Sequence, residues 1–297
     1  MAWIKTLLGP MRLPFLFLTP ACIFLGYGSA VWTSPEVNQF NFLLALVGGV
    51  AAHISVNALN EYSDFRSGLD YRTQPTPFSG GSGTLPSKPE AAYVALTTGL
   101  LSFAITGLIG IYFVLSRGLA LLPLGLLGLA IIAAYTRWLC RIPIVCLLVP
   151  GLGFGTLMVM GTDYILTANY SWTSFFASLT PFFAVSNLLL LNQFPDVEAD
   201  ESIGRRHFPI TIGRPTSAYI YTGFLILMYI SIVFGILLGF LPLATLLGLS
   251  TILISVPTVF GVFRYSDQID RLLPYLGLNV LITLLTPVLV AVGLTFF

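Results

Sequence analysis

The sequence predicts an all-α, polytopic membrane protein, with nine transmembrane helices in a single bundle and a cytoplasmic N-terminus. Three observations predict it. Hydrophobic residues make up 56% of the 297-residue chain and charged residues 8%, against roughly 25% charged in a soluble domain. Mean hydropathy is +0.91. The apolar residues also fall in runs of about 20, the length that crosses a hydrocarbon core of about 30 Å.

The runs follow one another along the whole chain. Met1 to Pro14 carries Trp3, Ile4, Lys5 and Arg12 and reads as a short interfacial segment; no A-x-A cleavage site follows it, so the first run is a retained span. Runs then lie near 14–33, 40–60, 90–115, 119–135, 143–166, 171–192, 216–239, 241–263 and 273–297, with the tightest joint at Ser116–Gly118. With the N-terminus inside, Lys5, Arg12, Arg66, Arg72, Lys88, Arg137, Arg141, Arg205, Arg206, Arg214, Arg264 and Arg271 fall in cytoplasmic connections. Arg117 alone falls outside. That is the distribution the positive-inside rule requires.

The acids divide in the same way, which the rule does not require. Glu36 and Asp163 fall outside and the other ten inside. Most of those ten sit in two long connections, 57–89 and 192–215, within a single transmembrane domain, 1–297. The two connections are equivalent if spans one to four and five to eight repeat each other, and each has an Asn followed four residues on by an Asp: Asn60 and Asp64, Asn192 and Asp196. That recurrence points to an internal duplication.

Other classes are excluded or left without support. The net charge of +1 comes with no basic stripe, so nucleic acid is not a partner. Cys22, Cys140 and Cys146 have neither disulfide nor zinc spacing and read as buried thiols.

In the first connection, Asn57, Asn60 or Glu61, and Asp64 share one face of a helix continuing from span two, with Asp70 just beyond. In the second, Asn192, Asp196 and Asp200 stack at helical spacing. Carboxylates and amide oxygens are hard ligands that suit Mg²⁺, a cation that keeps several waters and bridges carboxylates to phosphates. Four convergent aspartates would otherwise repel one another in a low-dielectric mouth. Arg66, Arg72, Lys88, Arg205 and Arg206 are placed to neutralise a departing diphosphate. Between the acids, Phe78-Ser-Gly-Gly-Ser-Gly-Thr84 reads equally as an anion-binding nest or a flexible linker. The competing account of the aspartates is solvated loop charge paired with Arg, which their concentration in two segments opposes.

These residues resemble the UbiA superfamily of intramembrane prenyltransferases. Asn60, Asp64, Gly68 and Asp70 match its first acidic motif, and the six-residue gap from Asp64 to Asp70 is similar to the dihydroxynaphthoate, menaquinone-pathway branch. Asp196, Asp200, Gly204, Arg205 and Arg206 match the second motif; Tyr135-Thr136, Gly151-Leu-Gly-Phe-Gly155 and Gly161-Thr162 match between them. Glu61 stands where Asp is common, and Arg137-Trp-Leu-Cys-Arg141 departs from the usual Gly/Pro-rich stretch.

The resemblance implies a central cavity in which Mg²⁺ and a polyprenyl diphosphate bind between the loops, with the isoprenoid tail in a lipid-accessible channel. It implies prenyl transfer to an aromatic acceptor, 1,4-dihydroxy-2-naphthoate in menaquinone biosynthesis, in a bacterial or archaeal cell membrane with the site open to the cytoplasm. Asp64, Asp70, Asp196 and Asp200 then hold the metal with Asn60 and Asn192. Arg66, Lys88, Arg205 and Arg206 hold the diphosphate, and Tyr135, among Tyr62, Tyr135 and Phe194, faces the carbocation. Prenyl transfer to 4-hydroxybenzoate, homogentisate or a glycerol lipid, and prenyl cyclisation, use the same loops. A secondary transporter is a further alternative. His53 reads as a hydrogen-bonded structural histidine or a proton acceptor, and His207 as a loop residue.

Overall fold

The computed structural model describes residues 6, 8–136 and 138–296. Trp3, Ile4, Lys5 and Arg137, assigned above to an interfacial segment and to cytoplasmic charges, lie outside the described residues. Among those described, every regular element is a helix. Eight helices are long and apolar enough to cross a membrane: α1 (Leu13–Thr33), α2 (Gln39–Ser67), α3 (Pro89–Arg117), α5 (Pro143–Thr167), α6 (Trp172–Asn192), α7 (Arg214–Leu237), α8 (Leu243–Tyr265) and α9 (Ile269–Phe296). The ninth predicted span is the shorter apolar helix α4 (Leu119–Ala134). At 1.5 Å per residue it is only about 24 Å long.

Helix ends follow local chemistry. The Asn38 side chain accepts a hydrogen bond from Asn41 N (3.0 Å) to start α2, and Ser171 accepts from Ser174 N (3.0 Å) to start α6. α2 runs past the predicted boundary at 60 to Ser67, because its polar last turns face protein rather than lipid. Gly68 stops it at φ 77°, its N–H donating to the Asp64 and Phe65 carbonyls. Asp70 follows at once in the 3₁₀ turn Leu69–Tyr71.

α6 is the most buried of these helices and packs against α5, α7 and α9. α1 lies between α9 and the second half of α5, while α2 lies along α3. Within the α6, α7 and α9 core, Asn187 Nδ2 donates to Tyr221 O (2.8 Å) and Tyr221 Oη to Asn279 Oδ1 (3.1 Å). α4 is different. Leu121 is its one buried residue, and it only lightly touches α2, α3 and α5, leaving space inside the wall it forms.

α5 changes pitch at Leu152–Leu157, a π-helical stretch after Pro150, and places Gly153 and Phe154 on that space. Glycine lets α5 meet α6 backbone to backbone. A Cβ at Gly151 would lie 2.1 Å from Phe182 O, and one at Gly155 2.5 Å from Phe182 N. Overpacking of this kind costs about 1–3 kcal/mol or more. Gly151→Leu is therefore expected to lower the melting temperature of the purified protein in detergent by several degrees; wild-type melting would show that the α5–α6 contact is not tight.

Candidate active site

The ends of α2 and α6 meet on one side of the bundle and open a cavity of about 520 Å³. Asn60, Asp64, Asp70, Asn192, Asp196, Asp200, Arg205 and Tyr135, eight of the residues selected from sequence, all line it. Its polar end holds the acids. Its apolar end runs along α2 to α5, past His53, Gly107, Gly110, Gly125, Gly128 and Phe154.

Arg205 sits between the two acidic segments. Its Nη2 pairs with Asp64 Oδ1, and its Nη1 with Asp200 Oδ1 at 2.8 Å. Burial opposes the guanidinium charge, but Asp64 and Asp200 raise its pKa well beyond the ordinary arginine value. Asp200 is also bound by His207, Nε2 to Oδ2 at 3.0 Å. Burial alone would raise the Asp200 carboxyl, yet the His207 hydrogen bond and Arg205 bring it below the usual carboxylate range. His207, read from sequence as a loop residue, is buried beneath this network with its Nδ1 unpartnered.

Among the described residues, Asp70 and Asp196 have no cationic partner in an ion pair. Burial raises the Asp70 carboxyl to about 7, with Glu61 and Asp64 acting in the same direction. Burial and then Asp200 raise Asp196 to about 7 as well. Asp70 Oδ2, Asp196 Oδ1 and Asn192 Oδ1 are buried without a hydrogen-bond partner. Asn60 donates to Thr136 Oγ1 (3.1 Å).

The glycine-rich segment closes over these groups. Gly80 N donates to Asp196 Oδ2 (3.2 Å), and a Cβ at Gly81 would stand 3.1 Å from Asp70 Oδ1. These contacts, with Ser82 N donating to Glu61 Oε1 (2.9 Å), hold the segment against the acids, so it is not a free linker. Glu61, the expected near-equivalent of an Asp, does something else. It is fully buried and binds Arg12 through Oε2 and Ser82 through Oε1. Arg12 also lines the cavity, a position its basic, pre-span context did not reveal.

Other candidates stand apart. Arg66 and Arg206 are exposed, and with Lys88 they lie outside the cavity lining; Lys88 Nζ donates to Thr6 Oγ1 at 3.4 Å. Sequence counts a charge in a loop but not the direction in which its side chain leaves the helix. Arg72 ties the two segments together by donating to Ser202 Oγ (3.0 Å) and O (3.3 Å). Phe194 belongs to the core beside Leu191 and Tyr221, and Tyr62 packs against Leu85 and its neighbours. Tyr135 alone of the three aromatics lines the cavity. His53 Nδ1 shares a 2.9 Å hydrogen bond with Thr19, and its ring meets Phe154 edge-on, as a structural histidine does. The cysteines are free and buried, as expected.

The UbiA prenyltransferase family model matches residues 17–274. The chain belongs to this family. The resemblance read from its acidic motifs is thereby borne out, and it is an integral membrane protein. Among relatives of this UbiA chain, a 1,4-dihydroxy-2-naphthoate octaprenyltransferase of Bacillus subtilis (strain 168) is 27% identical over 208 residues, covering 69% of this chain and 65% of the relative. A 2-carboxy-1,4-naphthoquinone phytyltransferase of Synechocystis is 22% identical over 283 residues, covering 90% and 85%. The fold is similar to that of a UbiA homolog from Aeropyrum pernix K1, with TM-score 0.67, 16% identity and coverage of 94% and 96%. It is also similar to a UbiA homolog from Archaeoglobus fulgidus bound to DMAPP and Mg²⁺, with TM-score 0.59, 14% identity and coverage of 98% and 99%.

The donor set of this UbiA site suits magnesium. Among the described residues no three His, Cys, Asp or Glu side chains form a ready-made cage. Magnesium does not need one, because it retains waters and takes few protein ligands. The three unpartnered oxygens facing the cavity are hard donors of the required kind. Because Asp70 and Asp196 titrate near 7 when folded and at 3.8 as isolated groups, the folded metal-free protein binds more protons than the unfolded chain between those values. Its stability therefore falls as pH rises from about 4 through about 7 and levels off above. Mg²⁺ competes with those protons, so it is expected to raise the melting temperature more at pH 8 than at pH 6. Equal stabilisation at both pH values, or persistence of the difference in Asp70→Asn/Asp196→Asn, would contradict this.

Proposed function

We propose that this UbiA-family chain transfers a prenyl group from a polyprenyl diphosphate to an aromatic acceptor, 1,4-dihydroxy-2-naphthoate or a close analogue. The observation that carries the reading is one cavity with unpartnered hard oxygens at its polar end and a long apolar extension at the other. A donor with an anionic head and a hydrocarbon tail needs both ends. The naphthoate relatives support the acceptor class, and the family supports the reaction. The chain acts as a single transmembrane domain, 1–297, crossing a bacterial or archaeal cell membrane nine times, α4 included, with its N-terminus and site cytoplasmic. Arg66, Arg72, Arg205, Arg206 and Arg214 lie on the side of the acidic segments, which supports that orientation.

Asp70, Asp196 and Asn192 would hold Mg²⁺ together with Asn60, Asp64 and Asp200; Arg205 is paired with Asp64 and Asp200 in this structure. The bound metal offsets charge on the diphosphate oxygens. Arg205, released from part of its pairing with Asp64 and Asp200, donates to the same anion. His207 keeps Asp200 oriented meanwhile. The allylic C–O bond breaks with its electron pair leaving on the diphosphate. Tyr135 then presents its ring face to the cation; burial holds its hydroxyl protonated, well above the usual phenol range. A ring carbon of the acceptor attacks, and the ring regains aromaticity by losing a proton. The apolar walls keep water from competing for the cation.

The test uses membranes carrying the protein with Mg²⁺, a prenyl diphosphate and a panel of aromatic acids and glycerol lipids, products being read by mass spectrometry. Asp64→Asn and Asp196→Asn are each expected to lower turnover by about 10²-fold or more. Full activity in either variant, or in excess chelator, would overturn the mechanism; a glycerol-lipid product would change the acceptor.

The tail's path gives a separate test. A Cβ at Gly107, Gly110 or Gly125 meets nothing within 4 Å, and one at Gly128 meets only Leu157 at 3.9 Å. Counted from Gly118, Gly110 and Gly125 stand at one depth of the α3–α4 hairpin, and Gly107 and Gly128 at another. A large side chain there has room to fold but fills the tail's place. Gly125→Phe is expected to lower the kcat/KM ratio of octaprenyl to geranyl diphosphate about tenfold. Gly223→Phe, at an equally open glycine of α7 outside the cavity, serves as control. An unchanged ratio in Gly125→Phe would place the tail elsewhere.

A further inference from the structure

A second cavity of about 440 Å³ adjoins the first, between the segment before α1 and the glycine-rich loop. Arg12, Phe15, Phe78, Ser79 and Gly81 line both. A molecule held in the second cavity therefore reaches toward the diphosphate end of the first. Its walls are otherwise apolar or neutral, and Arg12 is the one charged residue among its described lining residues.

Arg12 is held in place at some cost. Its backbone is left-handed, φ 53° and ψ 56°, a conformation that a residue with a side chain keeps only where its surroundings impose it. The surroundings do impose it. Asn57 Nδ2 holds the preceding carbonyl, Met11 O, at 2.9 Å. Glu61 Oε2 takes Arg12 Nε at 3.0 Å and Nη2 at 2.9 Å, and Glu61 is in turn fixed by Ser82 N at 2.9 Å. Among the described residues Nη1 has no partner. The guanidinium thus presents a fixed, unused edge at the junction of two cavities, with the rings of Phe15 and Phe78 on the same wall.

Resting on the prenyl-transfer reading above, the geometry points to Arg12 as the seat of the acceptor's carboxylate. The acceptor is an aromatic acid whose ring lies against Phe15 and Phe78. A planar guanidinium fork matches a carboxylate, and the flanking rings match a flat apolar body. Glu61 already neutralises Arg12, so the free edge suits a ligand with a single charge. The more highly charged diphosphate has Arg205 and the metal-binding oxygens instead.

The experiment measures prenyl transfer, with Mg²⁺ and saturating donor, to 1,4-dihydroxy-2-naphthoate and to 1,4-dihydroxynaphthalene, which lacks the carboxylate. Arg12→Lys is compared with the double variant Arg12→Gln/Glu61→Gln, which removes both charges and leaves no unpaired buried carboxylate. In both, the acid-to-diol ratio of kcat/KM is expected to fall about tenfold or more, through KM for the acid, while the donor KM stays within about twofold. Equal losses for acid and diol would make Arg12 a purely structural residue, and a raised donor KM would assign it to the diphosphate; either overturns the inference alone. Wild-type protein that transfers to neither acceptor would overturn the prenyl-transfer reading and this inference with it.

Discussion

The contact on which the site depends is Arg205 between Asp64 and Asp200. It joins the last turns of α2 to the segment after α6, two places 141 residues apart in sequence. Taking three charges out of water is expensive, and the cost is recovered only when every lone pair and proton finds a partner. The structure provides those partners at Asp200, through Arg205 and His207. It does not provide them at Asp70 and Asp196. The paired half of the site thus holds the two loops together, and the unpaired half leaves oxygens for a ligand. Asp64 and Asp200 together exceed Arg205 by one negative charge, so the cluster favours a cation. A cation arriving with an anionic diphosphate also gives Arg205 a new partner.

The glycine-rich segment and Arg12 extend the same logic to the other side of the cavity. Gly80 donates to Asp196, Ser82 to Glu61, and Glu61 binds Arg12. Each acidic segment is therefore tied to the loop, and the loop is tied to the residues before α1. A carboxylate buried as completely as Glu61 must be matched by fixed donors. In matching it, the fold also fixes Arg12, and a side chain that elsewhere would move freely becomes part of the wall between two cavities.

Much of this was legible in the sequence because it rests on hydropathy and spacing. The apolar runs located the nine apolar helices α1 to α9, and helical spacing puts Asn60 and Asp64 near one another at the end of α2. Asn192, Asp196 and Asp200 were selected on the same spacing, although α6 ends at Asn192 and a turn leads into the short helix Val197–Ser202. Side-chain direction was not legible. Arg205 and Arg206 are adjacent and identical, yet one enters the cavity and the other is exposed, since Gly204 at φ 80° redirects the chain just before them. His207 is two residues from Arg205 and returns to the interior, which a count of loop residues does not reveal. Glu61 was read as a substitute for Asp. Its partner, Arg12, lies 49 positions earlier in the chain, which the motif does not show. The shortness of α4 was legible, since the run read as 119–135 is the helix Leu119–Ala134 to within a residue; its loose packing was not.

That shortness connects the fold to the chemistry. A tightly packed α4 would fill the interior and leave no place for a hydrocarbon tail; a missing α4 would expose the acids' apolar extension to the membrane along its whole length. A thin wall with glycines on both strands of the α3–α4 hairpin avoids both. On the proposed reading, the tail's place would lie on one side of the reacting carbon and the Arg12 cavity on the other, with the acids between them at the polar end. An allylic cation formed there would have largely apolar or aromatic surface around it, from residues such as Phe154 and Tyr135. The charged pairs that are expensive to bury are thus gathered at the mouth, and in the apolar end His53, a basic group, is held in a hydrogen bond with Thr19.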